Sequence, residues 1–277
     1  MPVQITTLSE NTASGIGLLA ESGLSILIEA DGDRVLFDTG QSFSAAYNAV
    51  ILEIDLSQVA RIVFSHGHVD HTGGLLPILK LRKKPTQVIA HPDIWSNKYV
   101  KRSEGKSEYI GVPFQKEAAE SLGASFHLTR EPVWLSESIV TSGEIPMLTE
   151  YEKIDSALCV KERGELRPDP LFDDQAVFIK SERGLIVISG CGHRGIINTI
   201  RHGQKLTRME SVYAVIGGTH LMAASPESMD LTVAELLGFG IQRLGVSHCT
   251  GLPASAMLAQ TFGQAFFFNN TGTRVTL

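Results

Sequence analysis

Apolar positions along the chain fall into short runs separated by turn residues. LSILIEADGDRVLFDTG (residues 24–40) reads as two apolar strands around Asp31-Gly32, and Asp-Gly between apolar runs marks a two-residue hairpin. Residues 42–52 carry a helical pattern. RIVFSH (61–66) is a continuous apolar run ending in histidine, as a buried strand does. A helix is predicted from Thr72 to Lys83, and a further strand at TQVIAH (86–91). The tract 95–131 is polar and mixed and reads as an insertion or lid. CVKERGELRPD (159–169), centred on Arg163-Gly164, is a second hairpin. QAVFIK (175–180) and GLIVISG (184–190) form a third. Strand and helix then alternate: helix 194–204, VYAVIGG (212–218), helix 226–239, IQRLGVS (241–247), helix 253–261 and strand 264–268. Ser225 before Pro226 is a helix start.

No internal repeat or low-complexity linker interrupts this pattern, so residues 1–277 read as one α/β domain. Composition narrows the functions open to it. The 24 basic and 30 acidic residues give a net charge of -6, which calls for neither nucleic acid nor an anionic membrane as partner. Cys159, Cys191 and Cys249 are odd in number and include no CxxC pair, against a disulfide scaffold or a four-thiolate cluster. The opening MPVQITTLSEN lacks the basic and apolar regions of a signal peptide, and no apolar run approaches the roughly 18 residues of a membrane helix. The expectation is a cytoplasmic protein.

The histidines carry the chemistry. Four apolar strand candidates each end in small residues and then a histidine: His66, His193, His220 and His248. Ligand sites in α/β sheets lie outside the carboxyl ends of strands, so four such strands running together in one sheet would gather these imidazoles at one edge. The densest segment is Ser65-His66-Gly67-His68-Val69-Asp70-His71-Thr72-Gly73-Gly74. Imidazole and carboxylate together suit zinc, and also iron or manganese. His66 and His68 alternate on an extended segment and point the same way. Asp70 and His71 sit at the turn into a helix and face a second position. Two divalent ions are expected, zinc before iron or manganese, with His193 and His248 completing the set. Two adjacent ions suit hydrolysis.

At these residues the sequence resembles the metallo-β-lactamase superfamily, through His66-x-His68-x-Asp70-His71, Phe37-Asp38-Thr39-Gly40 and the closing histidine after a strand. Within it the chain looks like the dihydropterin-synthase-like branch, named for a 7,8-dihydropterin-6-methyl-4-(β-D-ribofuranosyl)aminobenzene 5′-phosphate synthase. That resemblance is carried by Ser142–Pro146, Asp174-Gln175-Ala176, Gly190–Ile200, Gly217–Leu221 and His248–Gly251. It implies a four-layer αββα sandwich with the metals along one edge of two packed sheets. It further implies His66 and His68 on one ion, Asp70 and His71 on the other, and His248 as the last histidine ligand. Many members have a bridging aspartate where this chain reads Gly190-Cys191-Gly192-His193. Either Cys191 replaces it as a thiolate, or His193 supplies the ligand.

Asp70 is a ligand or a general base, and His220 a proton donor to substrate. Asp38 is expected beneath the site as a hydrogen-bonding support, His91 as structural, and His127 and His202 at the surface. Arg194, at a helix start, is the first choice for an anion contact. Lys98, Lys101, Arg102 and Lys106, with Tyr99 and Tyr109, form a cluster suited to closing over an anionic aromatic substrate. The function expected is an enzyme acting on a phosphate- or pyrophosphate-bearing small molecule, such as a pterin, as hydrolase or transferase. A non-catalytic metal or pterin sensor is the alternative. Oxidoreductase chemistry is disfavoured, since carboxylate-rich iron ligands and room for a flavin domain are lacking.

Overall fold

The structure is a computed structural model and describes residues 2–277. Its first sheet opens with β1 (Gln4–Ser9), β2 (Ser25–Ala30) and β3 (Asp33–Phe37), all antiparallel. Asp31 (φ 54°) and Gly32 (φ 80°) make the turn between β2 and β3. Positive φ at both central residues is what a two-residue hairpin needs. The helix α1 (Ser44–Ile51) leads to β4 (Arg61–Val63), which lies parallel to β3.

The helix expected from Thr72 to Lys83 is two helices, α2 (Val69–Thr72) and α3 (Leu75–Arg82), broken at Gly73-Gly74. A side chain at either glycine would collide with the loop after β3: a Cβ would lie 2.0 Å from the Gln41 carbonyl oxygen or 1.9 Å from that of Thr39. The break thus lets that loop press against the histidine motif.

β5 (Thr86–Ala90) follows. The tract expected as an insertion or lid then divides. β6 (Lys98–Lys101) and β7 (Ser107–Tyr109) leave the sheet, whereas α4 (Lys116–Ser121) and β8 (Ala124–Leu128) return to it, with β8 parallel to β5. β9 (Ile139–Thr141) begins the second sheet. β10 (Leu158–Glu162) and β11 (Glu165–Pro168) turn at Arg163-Gly164 and pair with β6, giving a small sheet ordered β11-β10-β6-β7.

The second sheet continues with β12 (Ala176–Ser181), β13 (Gly184–Ser189), α5 (Ile196–Thr207), β14 (Val212–Gly217), α6 (Pro226–Gly238), β15 (Arg243–Val246), α7 (Leu252–Phe262) and β16 (Phe266–Phe268). β13, β14, β15 and β16 run parallel. The Ser225 hydroxyl accepts from Ser228 N and caps α6. β17 (Arg274–Thr276) returns to the first sheet beside β1.

Strand alternation sorts side chains between layers. In β13, Ile186 and Ile188 face the first sheet's Ile26, Ile28 and Val63, whereas Leu185 and Val187 pack beneath the helices with Ile200, Val233 and Leu258. In β2, Leu27 points the other way, toward Ala45, Ala49, Leu75 and Leu79 of α1 and α3. Three apolar layers therefore separate helices, sheet, sheet and helices, the αββα order expected. No helix among the described residues is long and apolar enough to cross a membrane.

Candidate metal centre

Parallel strands of both sheets end on the same edge. Asp38 follows β3, Ser65 and His66 lie just past β4, and Cys191 and His193 follow β13. His220 comes after β14 and His248 after β15. The four histidines were expected from a single sheet. In fact His66 comes from the first and His193, His220 and His248 from the second, because the two layers pack with their carboxyl ends together. Close approach there depends on Gly190, where a Cβ would sit 2.3 Å from the Ser65 Cβ.

His66 Nε2 lies 2.9 Å from His68 Nδ1 and 3.2 Å from His193 Nε2. On the other side, His71 Nε2 is 3.3 Å from His248 Nε2, and Asp70 Oδ2 is 3.2 Å from His248 Nε2 and 3.9 Å from His71 Nε2. Cys191 Sγ stands 3.2 Å from His71 Nε2.

The surroundings fix which nitrogens face inward. Asp38 accepts from Ser65 N, Ser65 Oγ and His71 Nδ1, each at 2.7 Å. With its hydrogen given to Asp38, Ser65 Oγ accepts from His66 Nδ1 at 2.8 Å. His248 Nδ1 donates to Asn11 Oδ1 at 2.8 Å. His66, His71 and His248 thus keep Nδ1 protonated and turn Nε2 toward the centre, the arrangement that orients a metal-ligating imidazole.

Electrostatics divide the two groups. Burial and the neighbouring histidines hold His66 well below the ordinary imidazole range, and burial with His220 does the same for His193. Burial takes His68 down to about 3. All three are neutral and offer lone pairs. Burial opposes the charged form of His71 too, but the Asp38 and Asp70 carboxylates outweigh it and push the group up to about 9. Burial would raise Asp70; His71 and His248 hold it well below the usual carboxylate range.

These residues fit metal ions. With Zn–N bonds of about 2.0–2.1 Å, two donors on one tetrahedral ion stand roughly 3.3 Å apart, and the inward pairs lie at 2.9 to 3.9 Å. His68 Nε2 and His193 Nδ1 are buried without a protein partner, so neither ring is anchored from outside the centre.

A cavity of about 420 Å³ opens onto both groups, lined by His68, Asp70, His193 and His248 and walled by Val100, Arg102, Tyr109 and Met222. A second, of about 370 Å³, lies beyond His193 and His220, against Tyr151, Ser225 and Ser228. His220 stands between the two, its ring 4.2 Å from that of His193 and both its nitrogens without partners.

The structure thus gathers His66, His68, Asp70, His71, Cys191, His193, His220 and His248. Of Arg194, Lys101 and Arg102, expected to bind substrate, it brings only Arg102 to the cavity. Arg194 points away: its guanidinium donates to the carbonyls of Ile145 and Pro170 and stacks on Phe172. The start of α5 is taken instead by the buried Glu152 carboxylate, which accepts from Ile197 N and Asn198 N. Lys98 is buried between Asp169 (2.8 Å) and Asp173 (2.9 Å), and Lys101 is exposed and does not line the cavity. Arg102 does line it, paired with Glu108 at 2.9 Å. His91 is structural, bonded to Glu144 and Asp93 N, and His127 is exposed. His202 is half-buried, donating to the Ser142 carbonyl rather than lying free at the surface.

Asn11, and Glu10, which accepts from His248 N, were missed. They lie in a loop beyond β1 with no motif of its own. Asp173, which accepts from Gly67 N between two histidines, was missed likewise.

The sequence model described as the metallo-beta-lactamase superfamily matches residues 19–196. The chain is 34% identical over 276 residues to the 7,8-dihydropterin-6-methyl-4-(beta-D-ribofuranosyl)-aminobenzene-5'-phosphate synthase of Methanocaldococcus jannaschii, covering 95% of this chain and 93% of that one. An uncharacterized protein of the same organism is 32% identical over 258 residues, covering 92% and 94%. Among solved structures, Tm1679, described as a metal-dependent hydrolase of the beta-lactamase superfamily, superposes with a TM-score of 0.85 at 25% identity, covering 99% of each chain.

Proposed function

The chain belongs to the metallo-β-lactamase superfamily, and from that premise we propose that it is a metal-dependent enzyme acting on a phosphate- or pyrophosphate-bearing dihydropterin. The observation that carries the reading is the pair of facing donor groups opening into a cavity with an aromatic and cationic wall. His66, His68 and His193 would hold one divalent ion, and Asp70, His71 and His248 the other. Zinc suits these donors, with iron or manganese as alternatives. When bound, such ions supply Lewis acidity and positive charge beside a phosphate or departing pyrophosphate.

This chain's own residues do the rest. Tyr109, packed edge-on against Tyr99 at 5.4 Å, presents a ring surface for a flat heterocycle. Arg102 pairs with an anionic group at the mouth in exchange for Glu108. His220 reaches both cavities and donates a proton from a ring nitrogen to the leaving group. Two cavities meeting at His193 and His220 favour transfer between two substrates over hydrolysis of one.

The test is to incubate the metal-loaded protein with a dihydropterin methyl pyrophosphate, with and without an aniline nucleophile, and identify products by mass spectrometry. A new carbon–nitrogen bond supports transfer. Dihydropterin alcohol alone supports hydrolysis. Tight binding without either product would make the protein a binding module.

A further inference from the structure

The arrangement at the end of β13 carries a further assignment. Cys191 Sγ lies within 4.8 Å of donor atoms of His66 and His71 in one group, of His193 and His220 in another, and of His248 and Cys249 in a third. It therefore neighbours members of both ligand sets; His66 and His71 do so too, but each already belongs to one set, and His71 Nε2 is 3.2 Å from the sulfur itself. Among the described residues the only acid in these groups is Asp70, and it groups with His71 and His248 alone. Among the described residues, no carboxylate groups with both sets.

We propose that Cys191 bridges the two metal ions through its sulfur, so that this chain carries a thiolate where a carboxylate would otherwise neutralise the pair. The inference rests on the two-ion reading above.

The backbone is built for this placement. Gly190 lets the end of β13 approach Ser65, the neighbour of His66. Gly192, at φ 68°, then turns the chain so that Cys191 and His193 both reach the centre. Bulk at either position would move the sulfur. The side chain is buried. A shared anionic sulfur offsets charge on both cations at once. It also shifts preference toward soft or borderline ions, zinc or ferrous iron, and away from magnesium and manganese. Cys249 is the competing sulfur. It donates to the Cys191 carbonyl at 3.3 Å and groups with His248 but with neither His66 nor His193.

The test uses cobalt(II) in the full-length protein, freed of metal and titrated with cobalt while electronic absorption is recorded. The proposal expects a near-ultraviolet thiolate-to-cobalt charge-transfer band that grows with each of two equivalents. X-ray absorption at the cobalt edge should show a sulfur neighbour on every ion. The band should vanish in Cys191→Ser, with the second equivalent bound at least about tenfold more weakly. The double variant Cys159→Ser/Cys249→Ser keeps Cys191 as its one cysteine, and the band should persist there even if Cys191→Ser fails to fold. Two cobalt ions bound without the band, a sulfur on only half of them, or a band lost with Cys249 would overturn the bridge and leave the two-ion reading standing. A parent protein that binds no cobalt would overturn both.

Discussion

Asp38 meets three donors at once, from Ser65 N, Ser65 Oγ and His71 Nδ1, and it lies wholly buried beneath the centre. An amide of the same shape has one acceptor oxygen, and its NH₂ would confront a donor already in place. Asp38→Asn should therefore turn His71 and loosen Ser65, weakening metal binding about 10–100-fold. Chelator competition measures this, and unchanged affinity would contradict the assigned proton positions. Lys98 is a second residue of this kind. Lys98→Met would leave Asp169 and Asp173 buried without their cation, at a cost of about 3–5 kcal/mol in urea unfolding. Because Asp173 also accepts from Gly67 N, the same variant should loosen the loop between His66 and His68. The sequence could not show this. A lysine spaced with Lys101, Arg102 and Lys106 along a polar tract reads as part of an open basic cluster, and only the small sheet's docking against residues 169–173 buries it.

At the scale of elements, most of the chain was legible. Hairpins at Asp31-Gly32 and Arg163-Gly164 announce themselves through turn chemistry, and the β13-to-β16 half through strands and helices of ordinary length. What escaped were α4 and the strands β1, β6, β7, β8, β9 and β17, five of which have only three to five residues, too few to show a period. The break between α2 and α3 escaped as well, since Gly73-Gly74 answers to a loop 32 or more residues earlier rather than to its own helix. Glycines accordingly differ in what replacement does. Gly190→Ala puts a methyl against Ser65 where the two sheets meet, and should cost about 1–3 kcal/mol together with metal affinity. Gly238→Ala, in the exposed last turn of α6 with nothing within 4 Å of the new carbon, should instead stabilise by about 0.5–1 kcal/mol. Thermal unfolding of the two variants side by side checks the contrast.

For the whole molecule, the αββα order brings histidines from both sheets to one edge, so metal binding there would couple to the docking of the two halves. His66 comes from the first sheet and His193 from the second, and a cation between them would tie the layers together. Metal at about 100 times its dissociation constant should stabilise the fold by about 2.7 kcal/mol. In a chain of this size that raises the melting temperature by several degrees, and chelation should reverse it. The residues that converge on the centre were readable because strand ends and spacing place them. The surroundings of Arg194 were not. Arg194 at a helix start looks available until Glu152, 42 residues earlier, is seen to occupy the helix terminus.

Two ions held between these donors would show in anomalous diffraction from zinc-soaked crystals as two peaks, one enclosed by His66, His68 and His193 and the other by Asp70, His71 and His248. A single peak elsewhere, or none at saturating zinc, would contradict that arrangement.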